Sequence, residues 1–447
     1  MKKARVGVGI IGLGVVAGQV ARVLLEKGET LSQEIGCPLT VRRIKVLETD
    51  LRRPLTHDID HKLFTTRDEE FFNDPEIDIV VEAIGGENPA FAYLKRALEG
   101  GRHVVTSNKE VIAKHGMVLR ALAAEHVVGL RYEGSVGGGI PLITRFQYDL
   151  VANRINGIYA IINGTTNYIL TQMAHEGIDF GTALKNAQAL GYAEANPAND
   201  IEGIDAVYKL AILATLAFQT PISPEDIYRE GISRLSNRDF QYAHELGFAI
   251  KLLAIAKNNN DQVEVRVHPV LIPEDLLLAK VDGVYNAIVV QGDLAGDVLF
   301  YGEGAGAKPT ASAVVADVIA AARDVVRGNG ITSVPVFTTL PAKNIKPMSL
   351  IETRYYLRVL VVDDAGVLAQ IARVLGDHRI SISSVIQKTT DNVAKTAEIV
   401  IMTHPARGDS IQTALDEFAR LNVVKEVSNF IRVEEISSNQ EATNSSS

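Results

Sequence analysis

Short β-branched runs separated by amphipathic stretches of helical length set the rhythm of the first part of the chain. The runs Arg5–Ile11, Val41–Leu47, Ile77–Ala83, His103–Thr106 and Val127–Tyr132 alternate with helical stretches near 16–27, 89–99 and 109–126. That alternation predicts βαβ units, hence a parallel sheet covered on both faces. The pattern changes over 151–350, where a strand-like run Ile155–Ile162 precedes longer helices and further strands near 262–272 and 284–291. The stretch 203–219 is apolar nearly all round beyond Leu210, which predicts a buried helix. A Pro-containing connection, Pro335–Pro347, leads to a third region. There Tyr355–Val362, Ile380–Gln387, Ala397–Thr403 and Val423–Val433 read as strands, with helices at Gly366–Asp377 and Asp409–Leu421. That βαββαβ order is ferredoxin-like. The expected domains are 1–150, 151–350 (α+β) and 354–434, with a return of the chain to the first domain near 305–330 left open. Residues 435–447 are polar and aperiodic and are expected to form a disordered tail.

Composition narrows the class. A length of 447 residues accommodates two to four domains, and 47% apolar with 22% charged residues is the mix of a folded globular protein. The formal charge of −9 argues against a nucleic-acid phosphate track. One cysteine, Cys37, excludes an intrachain disulfide and a Cys-rich metal site. The start MKKARVGVGIIGLG superficially resembles a signal peptide, but its glycines and the following Gln19 and Arg22 deny it a continuous apolar region. Elsewhere the longest apolar run, Leu210–Phe218, falls far short of the roughly 20 residues a membrane span needs. A soluble, cytoplasmic enzyme acting on a small molecule, without nucleic-acid or membrane partners, is the expectation.

Candidate chemistry begins at the first strand, which runs into Gly12-Leu13-Gly14-Val15-Val16-Ala17 and a helix. This is a G-x-G-x-x-A turn in strand–turn–helix context, the dinucleotide fingerprint of a Rossmann-type doubly wound parallel sheet. Gly12 permits the tight turn, Gly14 lets a pyrophosphate approach the backbone, and the helix start offers N–H groups to phosphate. At the end of the second strand Glu48 or Asp50 suits a ribose 2′-hydroxyl, whereas Arg52 and Arg53 suit a 2′-phosphate, so NAD and NADP both remain open. Gly85-Gly86 and Ser107-Asn108-Lys109 follow predicted parallel strands, at the edge where open α/β sheets bind ligands. Further on, Glu194, Asp200, Asp205 and Lys209 punctuate a Gly/Pro-containing loop, Gly191–Gly203, and the first turns of the apolar helix. Asp205 and Lys209 are i and i+4, neighbours on one helical face. Charges leading into an apolar helix need partners or a ligand. Carboxylates suit an α-ammonium, and a lysine an α-carboxylate or alcohol oxygen.

The loop from Gly191 to Lys209, G-Y-A-E-x-N-P-x-x-D-I-x-G-x-D-x-x-x-K, resembles the signature of homoserine dehydrogenases. Gly12-Leu13-Gly14, Asn108-Lys109, Asn163-Gly164-Thr165-Thr166-Asn167, Gly302–Gly306 and Pro309-Thr310-Ala311 are similar to the same family, so the resemblance spans most of the chain. It implies NAD- or NADP-dependent interconversion of L-homoserine and L-aspartate 4-semialdehyde, on the route to threonine, methionine and isoleucine. Lys209 corresponds to the family's proton donor and acceptor, supported by Asp200, and Lys109 to a second lysine near cofactor and substrate. Glu194, Tyr192, Gly164, Thr165 and Asp205 match substrate positions, and Gly304 a cofactor position. The stretch Glu133–Pro141 resembles a monovalent-cation loop for Na⁺ or K⁺, with Glu133 and the carbonyls of Val136, Gly138 and Ile140 as ligands. Thr49 stands where many members carry an Arg, which removes one argument for NADP. The last region resembles an ACT domain, with Asp364, Gly366, Val367 and Leu368 in its D-x-x-G-V-L turn. Threonine feedback and a homo-oligomer, dimer or tetramer, are implied. With no aspartokinase region ahead of Met1, the monofunctional form is expected. The competing readings are a non-catalytic nucleotide and amino-acid sensor, and another ACT-bearing dehydrogenase.

Overall fold

The computed structural model describes residues 3–52, 58–259, 262–328, 342–391 and 393–436. Arg53, the first part of the Pro335–Pro347 connection and residues 437–447 of the expected tail lie outside the described residues. Two compact units emerge: Met1–Ile155 with Tyr208–Glu225 and Leu299–Lys343, and Asn156–Val207 with Asp226–Val298 and Asn344–Ser447. The three stretches separated by sequence pattern are thus distributed over two units.

The first unit is built on β1 (Val6–Ile11), β2 (Leu39–Lys45), β3 (Phe64–Thr65), β4 (Ile79–Glu82), β5 (His103–Thr106) and β6 (Leu130–Arg131), in the order β3-β2-β1-β4-β5-β6. The pairings are parallel, and the order reverses between β1 and β4, the switch point at which such sheets bind nucleotides. Val6, Val8, Ile10, Ile79, Val81 and Val105 of the sheet share one core with Ala17, Val20 and Leu24 of helix Val15–Glu26. Val314, Val318 and Ala321 of helix Ala307–Arg327 join that core, so the chain does return to this unit. Each Val, Leu or Ile of this core contributes roughly 1.5–3 kcal/mol by leaving water.

Two strands are displaced from their sequence patterns. The second starts and ends two residues earlier than Val41–Leu47, because Leu47 is 65% exposed and enters the 3₁₀ turn Glu48–Arg52. The last shrinks from Val127–Tyr132 to Leu130–Arg131, because Val127 takes a left-handed conformation (φ 56°) just past helix Lys109–Glu125. Helix Gly28–Ile35 and strand β3 were not legible in the periodicity.

The second unit carries a long mixed sheet. Its spatial order is Gly296–Glu303, Tyr285–Gly292, Ile155–Ile161, Phe248–Asn259, Gln262–Pro273, Val424–Val433, Glu352–Val362, Thr396–Thr403 and Ile382–Asp391. The last four strands, with helices Val367–Asp377 and Gly408–Phe418, form the expected βαββαβ module around Leu357, Val359, Ile371, Leu375, Ile401 and Phe418. Among the described residues, a short parallel pairing, Val270 with Arg432 and Leu271 with Val433, joins the module's sheet to Gln262–Pro273. Buried ion pairs reinforce that seam. Arg266, among the largest fully buried side chains, lies 2.8 Å from Glu264 and 2.5 Å from Glu434, and Lys346 lies 3.0 Å from Glu264.

Candidate active site

A cavity of about 380 Å³ opens at the switch point of the first sheet, lined by Gly12, Leu13 and Gly14 after β1, Asp50 after β2 and Ala83–Gly85 after β4. Gly12 has φ +100°, which glycine adopts freely, and a Cβ there would sit 2.5 Å from Ile84. Gly14 is different: a Cβ would meet nothing within 4 Å, so its backbone faces open space. Gly14 caps helix Val15–Glu26 without a side-chain hydrogen bond, and Val15 is 72% exposed while Val16 is half-buried. An uncapped helix start over an open glycine fits a pyrophosphate. Of the two acids, Asp50 is buried and lines the cavity, with Oδ2 accepting the Leu47 N–H at 3.2 Å. Glu48 and Arg52 are exposed and do not line it.

The next strand ends on an acid. Glu82, the last residue of β4, is fully buried, and burial pushes its carboxyl above the usual carboxylate range. Oε1 accepts the Ile84 N–H at 2.8 Å and Oε2 the Thr106 hydroxyl at 2.5 Å. Asn108 caps helix Lys109–Glu125 by accepting the Val111 N–H at 3.2 Å, so Lys109 stands, half-buried, as the first residue of a capped helix. One turn on, Lys114 bridges Glu87 and Glu110 at 2.8 Å each, which raises its pKa.

The signature loop belongs to the second unit up to Val207. Asn163 organises it. Its side-chain oxygen accepts the Thr166 N–H at 2.8 Å and so caps helix Gly164–Glu176. Its amide nitrogen donates to Asp200 at 2.7 Å and Asp205 at 2.9 Å, which brings the two predicted carboxylates onto one amide. Thr165 donates to the Tyr192 carbonyl at 2.7 Å, and the Tyr192 ring lies 5.1 Å from Tyr168, so Gly164, Thr165 and Tyr192 meet at the same helix start. Glu194 is exposed on the loop, where Gln188 donates to its carbonyl. Asp205 and Lys209 are one turn apart on helix Ile204–Phe218, and both are buried, 6% and 7% exposed.

The Glu133 loop is closed by its own side chain. The Glu133 carboxylate accepts backbone N–H groups of Leu142 (2.6 Å), Ile143 (2.9 Å) and Thr144 (2.8 Å), and the Thr144 hydroxyl as well. The carboxylate thus accepts four donors. The loop is drawn tight against the Gly302–Gly306 stretch. Gly139 donates to the Glu303 carbonyl at 3.2 Å, and a Cβ on Gly138 would come 2.6 Å from Gly304. Behind it the buried Asp317 accepts the Glu133 N–H at 2.8 Å, and burial with the nearby Glu133 charge lifts its carboxyl to about 7.

In the ferredoxin-like module, Gly366 (φ +87°) starts helix Val367–Asp377, Asp364 accepts the Ala365 N–H at 2.7 Å, Val367 is buried and Leu368 is 40% exposed. Sequence reasoning missed Glu82 and Asn163 as organising residues. Each had a faint signal: an acid closing the apolar run Ile79-Val80-Val81, and an Asn heading Gly-Thr-Thr in N-cap position.

Comparison with known proteins agrees with this arrangement. Residues 12–133 match the homoserine dehydrogenase NAD-binding domain, 141–319 the homoserine dehydrogenase family, and 355–422 the ACT domain. A homoserine dehydrogenase of Neisseria gonorrhoeae is 42% identical, covering 96% of this chain and 99% of its own. The crystal structure of a homoserine dehydrogenase from Thiobacillus denitrificans, 42% identical, superposes with a TM-score of 0.90 over 97% of this chain and 99% of that one. A hyperthermophilic archaeal homoserine dehydrogenase mutant in complex with NADPH, 30% identical, has a TM-score of 0.61 over 71% of this chain and 97% of that one. With its nucleotide turn, its signature loop and its C-terminal module, the chain belongs to the homoserine dehydrogenase family of NAD(P)-dependent oxidoreductases.

Proposed function

We propose that the interconversion of L-homoserine and L-aspartate 4-semialdehyde in this protein is carried by Lys209, Asp200 and Lys109, with Glu194, Tyr192, Gly164, Thr165 and Asp205 binding the substrate. The observation that carries the reading is the convergence of Asp200 and Asp205 on Asn163. Two carboxylates held together beside a helix start suit the α-ammonium of an amino acid. The buried Lys209 gives a proton to the substrate oxygen as negative charge develops there during carbonyl reduction, and recovers it in the reverse direction. Lys109 acts at the same stage from the start of its helix. When bound along Gly12, Leu13, Gly14, Val15, Val16 and Gly304, the nicotinamide nucleotide supplies the hydride chemistry.

The buried, cavity-lining Asp50 favours the 2′-hydroxyl of NAD, whereas the exposed Arg52 keeps NADP as the second reading. A Na⁺ or K⁺ ion would rest on the carbonyls of Val136, Gly138 and Ile140, not on the Glu133 side chain. The three functional regions, 1–150, 151–350 and 354–434, serve nucleotide, substrate and regulation. Regulation comes from L-threonine taken at the Asp364, Gly366, Val367 and Leu368 turn of a cytoplasmic homo-oligomer.

The test is homoserine-dependent nucleotide reduction, with NAD and with NADP, with and without L-threonine. Turnover with a lower KM for NAD and inhibition by L-threonine are expected. Absence of homoserine-dependent reduction with either nucleotide would sink the catalytic assignment, and indifference to threonine would sink the regulatory one.

A further inference from the structure

Glu82 belongs to no role assigned above, yet it is a fully buried acid at the carboxyl edge of the nucleotide sheet, bonded to two separate turns. An apolar side chain would be cheaper at the end of Ile79-Val80-Val81, because an ionisable group in that environment is costly unless its bonds are supplied. Here they are supplied by neutral donors from two turns. Ile84, in the wall of the nucleotide cavity, donates its N–H to Oε1, and Thr106, at the end of β5, donates its hydroxyl to Oε2.

Hydrogen-bond directions in this cluster are fixed. Thr106 Oγ1 already accepts the Asn108 N–H at 3.0 Å, so its own hydrogen is turned to Glu82. The Asn108 amide nitrogen donates to the Gly86 carbonyl at 2.7 Å and approaches Glu82 at 3.5 Å, while its oxygen caps the helix through Val111. The Glu82 carbonyl also accepts the Ser107 N–H at 3.3 Å. One carboxylate therefore clamps the Ile84–Gly86 turn, on the nucleotide side, to the Thr106–Asn108 turn, whose last residue sets the first turn of the helix carrying Lys109.

We propose that Glu82 is a positioning residue, holding the Asn108 cap and hence Lys109 in register with the nucleotide-binding turn through Thr106 and Ile84. The proposal rests on the reading of Lys109 as a group acting beside cofactor and substrate. Its physical prediction concerns acceptors. A carboxylate gives two, one for each turn. The amide of Glu82→Gln keeps one acceptor: if it serves Ile84, the Thr106 hydroxyl loses the acceptor for its hydrogen and must turn to accept the amide, and if it serves Thr106, the Ile84 N–H faces a donor. One of the two bonds is lost or reversed while side-chain volume is preserved.

The experiment measures kcat, KM for homoserine, nucleotide Kd by fluorescence and thermal midpoint for Glu82→Gln, Thr106→Val, Thr106→Ser and Lys109→Ala in the full chain. Glu82→Gln and Thr106→Val are expected to lower kcat by roughly 10- to 100-fold, the scale of a small misplacement of a reacting group, with nucleotide Kd held within about threefold. Thr106→Ser, which keeps the hydroxyl, restores kcat. In a Lys109→Ala background, Glu82→Gln costs less than about twofold more, because both changes act on one group. Normal kcat in Glu82→Gln and Thr106→Val, whatever their thermal midpoints, overturns the proposal, as does additivity with Lys109→Ala. Should Lys109→Ala alone turn over normally, the reading of Lys109 itself has failed, an outcome distinct from failure of the clamp.

Discussion

Two sets of buried acids, one set in each unit, are handled in opposite ways. In the first, Glu82 and Glu133 are satisfied by neutral donors, backbone N–H groups and hydroxyls, and each shapes a loop beside a ligand-binding turn. In the second, Asp239 and Glu398 pair with Arg358 at 2.8 and 2.9 Å, and Glu264 and Glu434 with Arg266. There the charges fasten sheet to sheet and helix to sheet, where the backbone joint is short. The difference teaches that a buried carboxylate satisfied by neutral donors orders loop conformation, whereas a buried ion pair orders the docking of whole elements.

The sharpest way to break this contrast is to remove a counter-ion. Arg358→Met strands Asp239, which is 0% exposed, leaves Glu398 with Arg238 as its counter-ion at 3.2 Å, and takes a guanidinium bond from Ser236 Oγ at 2.9 Å. A loss of about 3–5 kcal/mol is expected, read from the denaturant midpoint, because an uncompensated buried charge remains. A loss below about 1 kcal/mol would mean that the ion pairs do not fasten the seam.

Titration sharpens the other half of the comparison. Asp317 is lifted in the folded state to about 7, above its ordinary value, so its protonated form is favoured by folding. Its contribution is fully present below pH about 4 and lost as pH rises through about 7, at up to about 1.4 kcal/mol per pH unit. Asp317→Asn, which still offers an oxygen to the Glu133 N–H, should be more stable than the parent at pH 8 and indistinguishable from it near pH 4. Parallel stability curves for the two proteins between those limits would contradict this account. The smallest effect is expected at the surface, where Arg407 and Asp409 pair at 2.5 Å while about half exposed. Arg407→Ala should leave the denaturant midpoint at the parent's value, with no dependence on added salt.

Local features of the fold were legible in the sequence, and those that need distant partners were not. The Gly12–Gly14 turn could be read because strand, turn and helix follow one another. The βαββαβ module could be read because its alternation is regular. Phe248–Asn259 escaped because Leu252–Ala256 is a short continuous apolar run, which periodicity does not separate from a helix. Asp200, Asp205 and Lys209 could be named from spacing and resemblance. Asn163 could not be recognised as their organiser, since the bonds that reveal it span 37 and 42 residues. Glu133 could be named from resemblance, but the four donors to its carboxylate could not, because they come from Leu142–Thr144, a segment with no chemical signature of its own.

The central claim is that Lys209, buried one turn beyond Asp205, moves the proton while other groups hold the nucleotide. It is tested most directly by homoserine-dependent nucleotide reduction in Lys209→Ala, followed at the nicotinamide absorbance band alongside nucleotide Kd. A fall in kcat of about 10²- to 10⁴-fold, the usual worth of a positioned acid–base group, with Kd within about threefold of the parent, is the predicted result. Turnover within about twofold of the parent would contradict the account.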